Sequence, residues 1–162
     1  MKSILLAGIA MTVLAGRPWQ DHAKMDRGAI VMGFDQTKTT HHFHLYEDGG
    51  SIEVTVNDSK DVTNLEAIRS HLPHITQMFA GGNFDAPMEV HAQDVPGTSE
   101  LAALKDRISY RYVELLKGGR VDIVTTDADA IKAVHAFLKF QILDHRTGDS
   151  TTVTKRPADK RP

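Results

Sequence analysis

Two alternating runs on either side of a glycine pair most constrain what this chain can fold into. In Thr39-Thr-His-His-Phe-His-Leu-Tyr-Glu-Asp-Gly-Gly-Ser-Ile-Glu-Val-Thr-Val-Asn57, apolar and polar residues alternate before and after Asp48-Gly49-Gly50. Successive strand side chains point to opposite faces, and Asp-Gly supplies the positive φ of a tight turn, so the stretch predicts a β-hairpin. Closing the turn over Glu47 to Gly50 puts Leu45 opposite Ile52, Phe43 opposite Val54 and His41 opposite Val56 on one apolar face. His42, His44, Glu53 and Thr55 take the other face.

A helix should follow. Thr63-Asn-Leu-Glu66 has the capping-box pattern, in which the threonine serves an early backbone N–H and the glutamate reaches back. Leu65, Ile68, Leu72, Ile75 and Phe79 recur at helical spacing, and Gly81-Gly82 ends the run. Pro73 lies inside it and costs about 3 kcal/mol in a straight helix, which predicts a kink or a restart. Pro87 to Ala92 reads as a short strand, and Thr98 to Asp106 as a short capped helix.

The pattern then returns. Ile108 to Thr125 is a second hairpin and Thr126 to His145 a second helix ending at Gly148. Setting Gly118-Gly119 on Gly49-Gly50 matches Phe43 with Tyr112 and Ile52-Glu-Val54 with Val121-Asp-Ile123. With a three-residue deletion, Leu65, Ala67, Ile68 and Leu72 fall on Ile131, Ala133, Val134 and Leu138. Two hairpin-helix units, 39–82 and 108–149, predict one α+β domain: an antiparallel sheet with its helices on one face.

The ends read differently. Lys2, the apolar run Ile4 to Leu14 and the cleavage-like Val13-Leu14-Ala15 make residues 1–16 a secretory signal, too short for a transmembrane helix. The expected product is soluble and periplasmic or secreted, with no membrane attachment after cleavage. Residues 17–38 read as an extended lead-in and 150–162, rich in Lys, Arg and Pro, as a disordered tail. The absence of cysteine leaves the fold to its apolar core and excludes thiolate chemistry. A net charge of −2 excludes the footprint of a nucleic-acid binder.

Nine histidines carry the functional signal. Without thiolates, a transition-metal site here would be built from imidazoles, and copper or zinc are the ions such ligands suit. His71 and His74 lie three apart on the first helix, His145 is in the last inward turn of the second, and His41 points to the core side of its strand. The metal candidates are therefore His41, His71, His74 and His145, provided that the sheet and helices bring them together. The plainer reading makes each a boundary or capping residue, with His145 favoured at a helix C-terminus by the dipole. His42, His44 and Glu53 form a shallower alternative on the open face.

Met32-Gly-Phe34, Thr39-Thr-His-His-Phe43, Ile68-Arg-Ser-His-Leu-Pro-His-Ile75 and Ala133-Val-His-Ala-Phe-Leu-Lys-Phe-Gln-Ile142 with Asp144-His-Arg-Thr-Gly-Asp149 carry a further signal. Through them the chain resembles a group of small exported bacterial proteins without established function, some bearing the name aspartate carbamoyltransferase. The Ser-Thr-Arg-Thr-Arg loop with which that enzyme class holds carbamoyl phosphate is absent, and two domains of typical size do not fit 162 residues. The resemblance implies an exported family and transfers no catalytic residue.

The sequence thus predicts an exported binding protein whose histidines coordinate a metal. A structural or interaction module is the alternative, its open face with Glu53, Arg111 and Asp122 taking a small molecule, a protein or a second copy. A small hydrolase with His145 or His91 as base is a third reading, although no GxSxG, P-loop or GxGxxG is present.

Overall fold

The computed structural model describes residues 28–158. Residues 1–27, with the signal reading and half of the lead-in, and 159–162 lie outside it. The described elements are β1 (Thr39–Tyr46), β2 (Gly49–Val56), α1 (Val62–Ala80), α2 (Asp85–His91), α3 (Thr98–Ala103), a 3-10 turn (Lys105–Arg107), β3 (Ser109–Leu115), β4 (Gly118–Val124) and α4 (Ala128–His145). The strands form one antiparallel sheet in the order β1-β2-β4-β3, with α1 and α4 packed on it, an α+β fold. Among the described residues no helix is long and apolar enough to cross a membrane.

Both hairpins turn on two residues, Glu47-Asp48 and Leu116-Lys117, so the glycine pairs belong to the strands. Leu45 therefore faces Gly50, Phe43 faces Ile52 and His41 faces Val54, two residues away from the expected register. A shift of two leaves every side chain on its predicted face. The glycines sit in β2 because that strand is crowded: a Cβ on Gly50 would strike Leu138 and the His44 carbonyl, and one on Gly49 the Ile123 carbonyl.

The repeat is a pseudo-two-fold axis. β2 and β4 pair through Ile52 and Val121, which are equivalent, and Gly50 pairs with Ile123 as Gly119 pairs with Val54. Val56 N–H donates to Lys117 O (2.8 Å) and Thr125 N–H to Asp48 O (2.9 Å), again a reciprocal pair. The helices cross over: α1 packs on β3 and β4, α4 on β1 and β2. Leu72 accordingly covers Gly119 while Leu138 covers Gly50.

α1 starts one residue before the expected cap, with the Asp61 carboxylate accepting from Asn64 N–H, and runs unbroken through Pro73. Burial of Ile68, Leu72, Ile75 and Phe79 on both sides of the proline holds it, each such side chain being worth about 1.5–3 kcal/mol. α4 begins at Asp127, whose carboxylate accepts from Asp129 and Ala130 N–H, and ends with Arg146 at φ 53°, before Gly148. His135 Nε2 lies 2.9 Å from Tyr46 O and 3.1 Å from Gly49 O, tying α4 to the first turn.

Three local readings are corrected. Residues 85–91 are helical and not a strand: Pro87 falls in the first turn, where a missing N–H costs nothing, and Asn83 Oδ1 accepts from Asp85 N–H. Residues 28–32 are helical and not extended, and Asp35 N–H donates to Asn64 Oδ1 at 2.8 Å, holding this segment on α1. The tail is ordered through Arg156. Thr154 bridges to Tyr46, and the Arg156 guanidinium lies against both oxygens of Asp48 (3.0 Å), Asp122 Oδ1 (3.3 Å) and the face of Tyr46 (4.4 Å). Asp122, 3 % exposed, is also paired with Arg111 and Arg120, so the tail closes over a carboxylate already ringed by guanidinium groups.

Candidate functional site

Four histidines from four elements line one cavity of about 80 Å³ between the sheet and its helices. The inward face of β1 supplies His41, α1 His71, α2 His91 and the last two inner turns of α4 Gln141 and His145. Val31, Met32 and Phe34 close one side, and Phe43, Val54, Ile75, Phe79 and Phe137 complete a largely apolar wall. The rings touch: His41 stacks on His145 (5.6 Å between centroids, 16° between planes), His91 meets His145 edge-on (5.0 Å), and Phe34 packs on both His41 (5.9 Å) and His71 (5.7 Å).

Burial lowers the His41 pKa to about 4, with the neighbouring His71 and His42 adding to it. His71 is brought down to about 4 by burial and by His74. Both rings are neutral at neutral pH, with one nitrogen donating and one accepting. His41 Nε2 is buried without a hydrogen-bond partner, and so is the Gln141 amide nitrogen. Leaving such an atom unpaired costs about 1–3 kcal/mol, and here two of them line one cavity.

The Gln141 amide is oriented from behind. Asp144 Oδ2 lies 2.5 Å from His91 Nδ1, and His91 Nε2 lies 3.0 Å from Gln141 Oε1. The His91 side chain is only 1 % exposed, so the Asp144–His91–Gln141 chain fixes the amide in a water-excluded position. A doubly protonated ring donates to both oxygens. A neutral ring needs the amide turned about, its NH2 on Nε2 and its carbonyl in the cavity.

Of the four predicted metal ligands, His41, His71 and His145 meet at this cavity. His74 does not: three residues on from His71, it is turned away from the buried stripe and is exposed. The cavity gains His91 instead, missed because its segment reads as a strand. Among the described residues no group of three or more His, Asp or Glu side chains is arranged to hold a metal ion. Stacked rings such as His41 and His145 present their nitrogens side by side, whereas a shared ion needs them converging at about 2 Å.

On the open face His42 is engaged elsewhere, its Nδ1 2.9 Å from Asp149 Oδ1. Burial works against the Asp149 charge, yet hydrogen bonds from His42, Phe43 N–H and Thr147 hold its carboxyl below the usual range. His44 stacks between His42 and Tyr46. The shallower histidine candidate is thus a brace between β1 and the tail. No protein-family model, curated protein or solved structure matches the chain.

Proposed function

We propose that this is an exported binding protein that encloses a small molecule in the histidine-lined cavity. The observation that carries the reading is the pair of buried, unbonded polar atoms, His41 Nε2 and Gln141 Nε2, on an otherwise apolar wall. A few fixed polar groups in a mostly apolar concavity are what small-ligand sites offer. The ordered Asp144–His91–Gln141 chain supports it, because it holds one of those atoms in a set position.

Proton NMR of the histidine rings tests this in the purified protein. Small molecules from a fragment set should shift the ring signals of His41, His71 and His145 and leave exposed His74 unmoved. Shifts confined to His42 and His44 would move the binding function to the open face and sink the proposal.

A second reading is supported by the meeting of three of the four sequence-nominated imidazoles. In it Cu or Zn binds after the rings of His41, His71 and His145 rotate toward one point. Metal-free protein titrated with zinc should then take up one equivalent, and His41→Ala and His71→Ala should each abolish uptake while His74→Ala does not.

A further inference from the structure

The polarity of the cavity wall narrows the ligand. No Asp, Glu, Lys or Arg side chain is among the residues lining it, and the imidazoles of His41 and His71 are uncharged at neutral pH. With the Gln141 NH2 in the cavity His91 is doubly protonated and its charge is met by Asp144, so a charged ligand entering here would lose its hydration with no free counter-charge, at a cost of several kcal/mol. An entirely apolar ligand would leave His41 Nε2 and Gln141 Nε2 as unpaired as before.

A hydroxyl meets both needs. It accepts from His41 if Nε2 carries the proton and donates to it if Nδ1 does, and it keeps an acceptor lone pair for the Gln141 NH2. The aromatic rings of Phe34, Phe43, Phe79 and Phe137 around the cavity favour a flat, unsaturated body, which packs against them face-on or edge-on. The cavity volume of about 80 Å³ limits that body to a single ring at most.

Resting on the binding function proposed above, we infer that the cavity takes a small, neutral aromatic alcohol of the phenol class, its hydroxyl on His41 Nε2 and the Gln141 amide and its ring among the phenylalanines.

Calorimetric titration and histidine-ring NMR with four probes of similar size test it: phenol, toluene, benzoate and benzylamine. Phenol should bind at least tenfold more tightly than toluene at pH 7, and the two charged probes should leave the rings of His41 and His145 unshifted. His41→Phe keeps a ring and removes the nitrogens, and should bring the preference for phenol over toluene close to one. Gln141→Met, a milder change at the second polar atom, should reduce it at least threefold and covers the case in which His41→Phe does not fold. Equal binding of phenol and toluene, or a preference that survives in both variants, overturns the inference. So does benzoate or benzylamine shifting the cavity histidines, although the cavity would then still be a ligand site. If none of the four probes, nor any fragment of the wider set, moves those rings, the binding function itself fails.

Discussion

Equivalent places in the two halves hold different chemistry. Where α4 meets β1, His145 stacks on His41 and touches Phe43. Where α1 meets β3, the corresponding positions are Phe79 and Tyr110, with 6.0 Å between ring centroids. The connector between the halves then adds an aromatic carbon ring to one side and an imidazole to the other: Phe84 stacks on Phe79 at 4.5 Å, while His91 lies against His145 at 5.0 Å. Gln141 likewise stands where the other half has Ile75. One backbone frame therefore carries a close-packed apolar end and a nitrogen-bearing end. The difference teaches that the polar lining of the cavity comes from a few side-chain differences on a repeated scaffold, with residues 31–34 and α2 added from outside the repeat.

The apolar end should hold the larger share of stability. Phe79→Ala is expected to cost about 4 kcal/mol in denaturant unfolding, since Phe79 is 2 % exposed and touches three other rings. A cost no larger than that of His145→Ala would erase the contrast between the ends.

Acid should attack the other end first. The folded-state pKa of His41 and of His71 is about 4 against an ordinary 6.5, so above pH 6.5 both states are neutral there and stability is full. As pH falls from 6.5 toward 4 the unfolded chain takes the protons first. Stability then drops by about 3 kcal/mol per ring, at 1.36 kcal/mol per pKa unit. Urea midpoints measured across that window should fall steeply in the wild type and less steeply in His41→Phe. A flat profile would mean that the rings are hydrated.

Arg156→Ala removes the tail's contacts with Asp48 and Asp122 and should cost about 1 kcal/mol, less in high salt, because Asp122 keeps Arg111 and Arg120. His145→Phe, which makes the two ends alike, should change stability by less than about 1 kcal/mol, volume-conserving swaps being tolerated. Ligand-induced shifts at His41 and His71 should persist in it, because His41 Nε2 and the Gln141 amide are kept.

Much of this was legible in the chain because it is written locally. The alternation through Phe43, Leu45, Ile52 and Val54 and the stripe of Ile68, Leu72, Ile75 and Phe79 report strand and helix faces directly. The glycine pairs revealed the repeat, but the approach of His41 to His145 was not legible, because it depends on the strand order β1-β2-β4-β3 and on which strands each helix covers. The turn register was not legible, because the crowding that keeps Gly50 in its strand comes from Leu138, far along the chain. His91 was hidden by the alternating look of Pro87 to His91; Asn83 ahead of a proline-bearing first turn was the available clue. The tail's anchor depends on Asp48 and Asp122, which no local pattern connects to Arg156. Gln141 could be placed on the inward face, but its orientation comes from His91 and Asp144 and is invisible before folding.

The crossing of the helices has a consequence for fragments. A piece carrying only β1, β2 and α1 would present a bare sheet edge along β2 and a greasy helix that has lost most of its sheet contacts, keeping only those with β2. Two such pieces could complete each other as the halves do within one chain, edge to edge through Ile52. The architecture is that of a dimer whose subunits have been spliced end to end, and a severed half should be found in pairs.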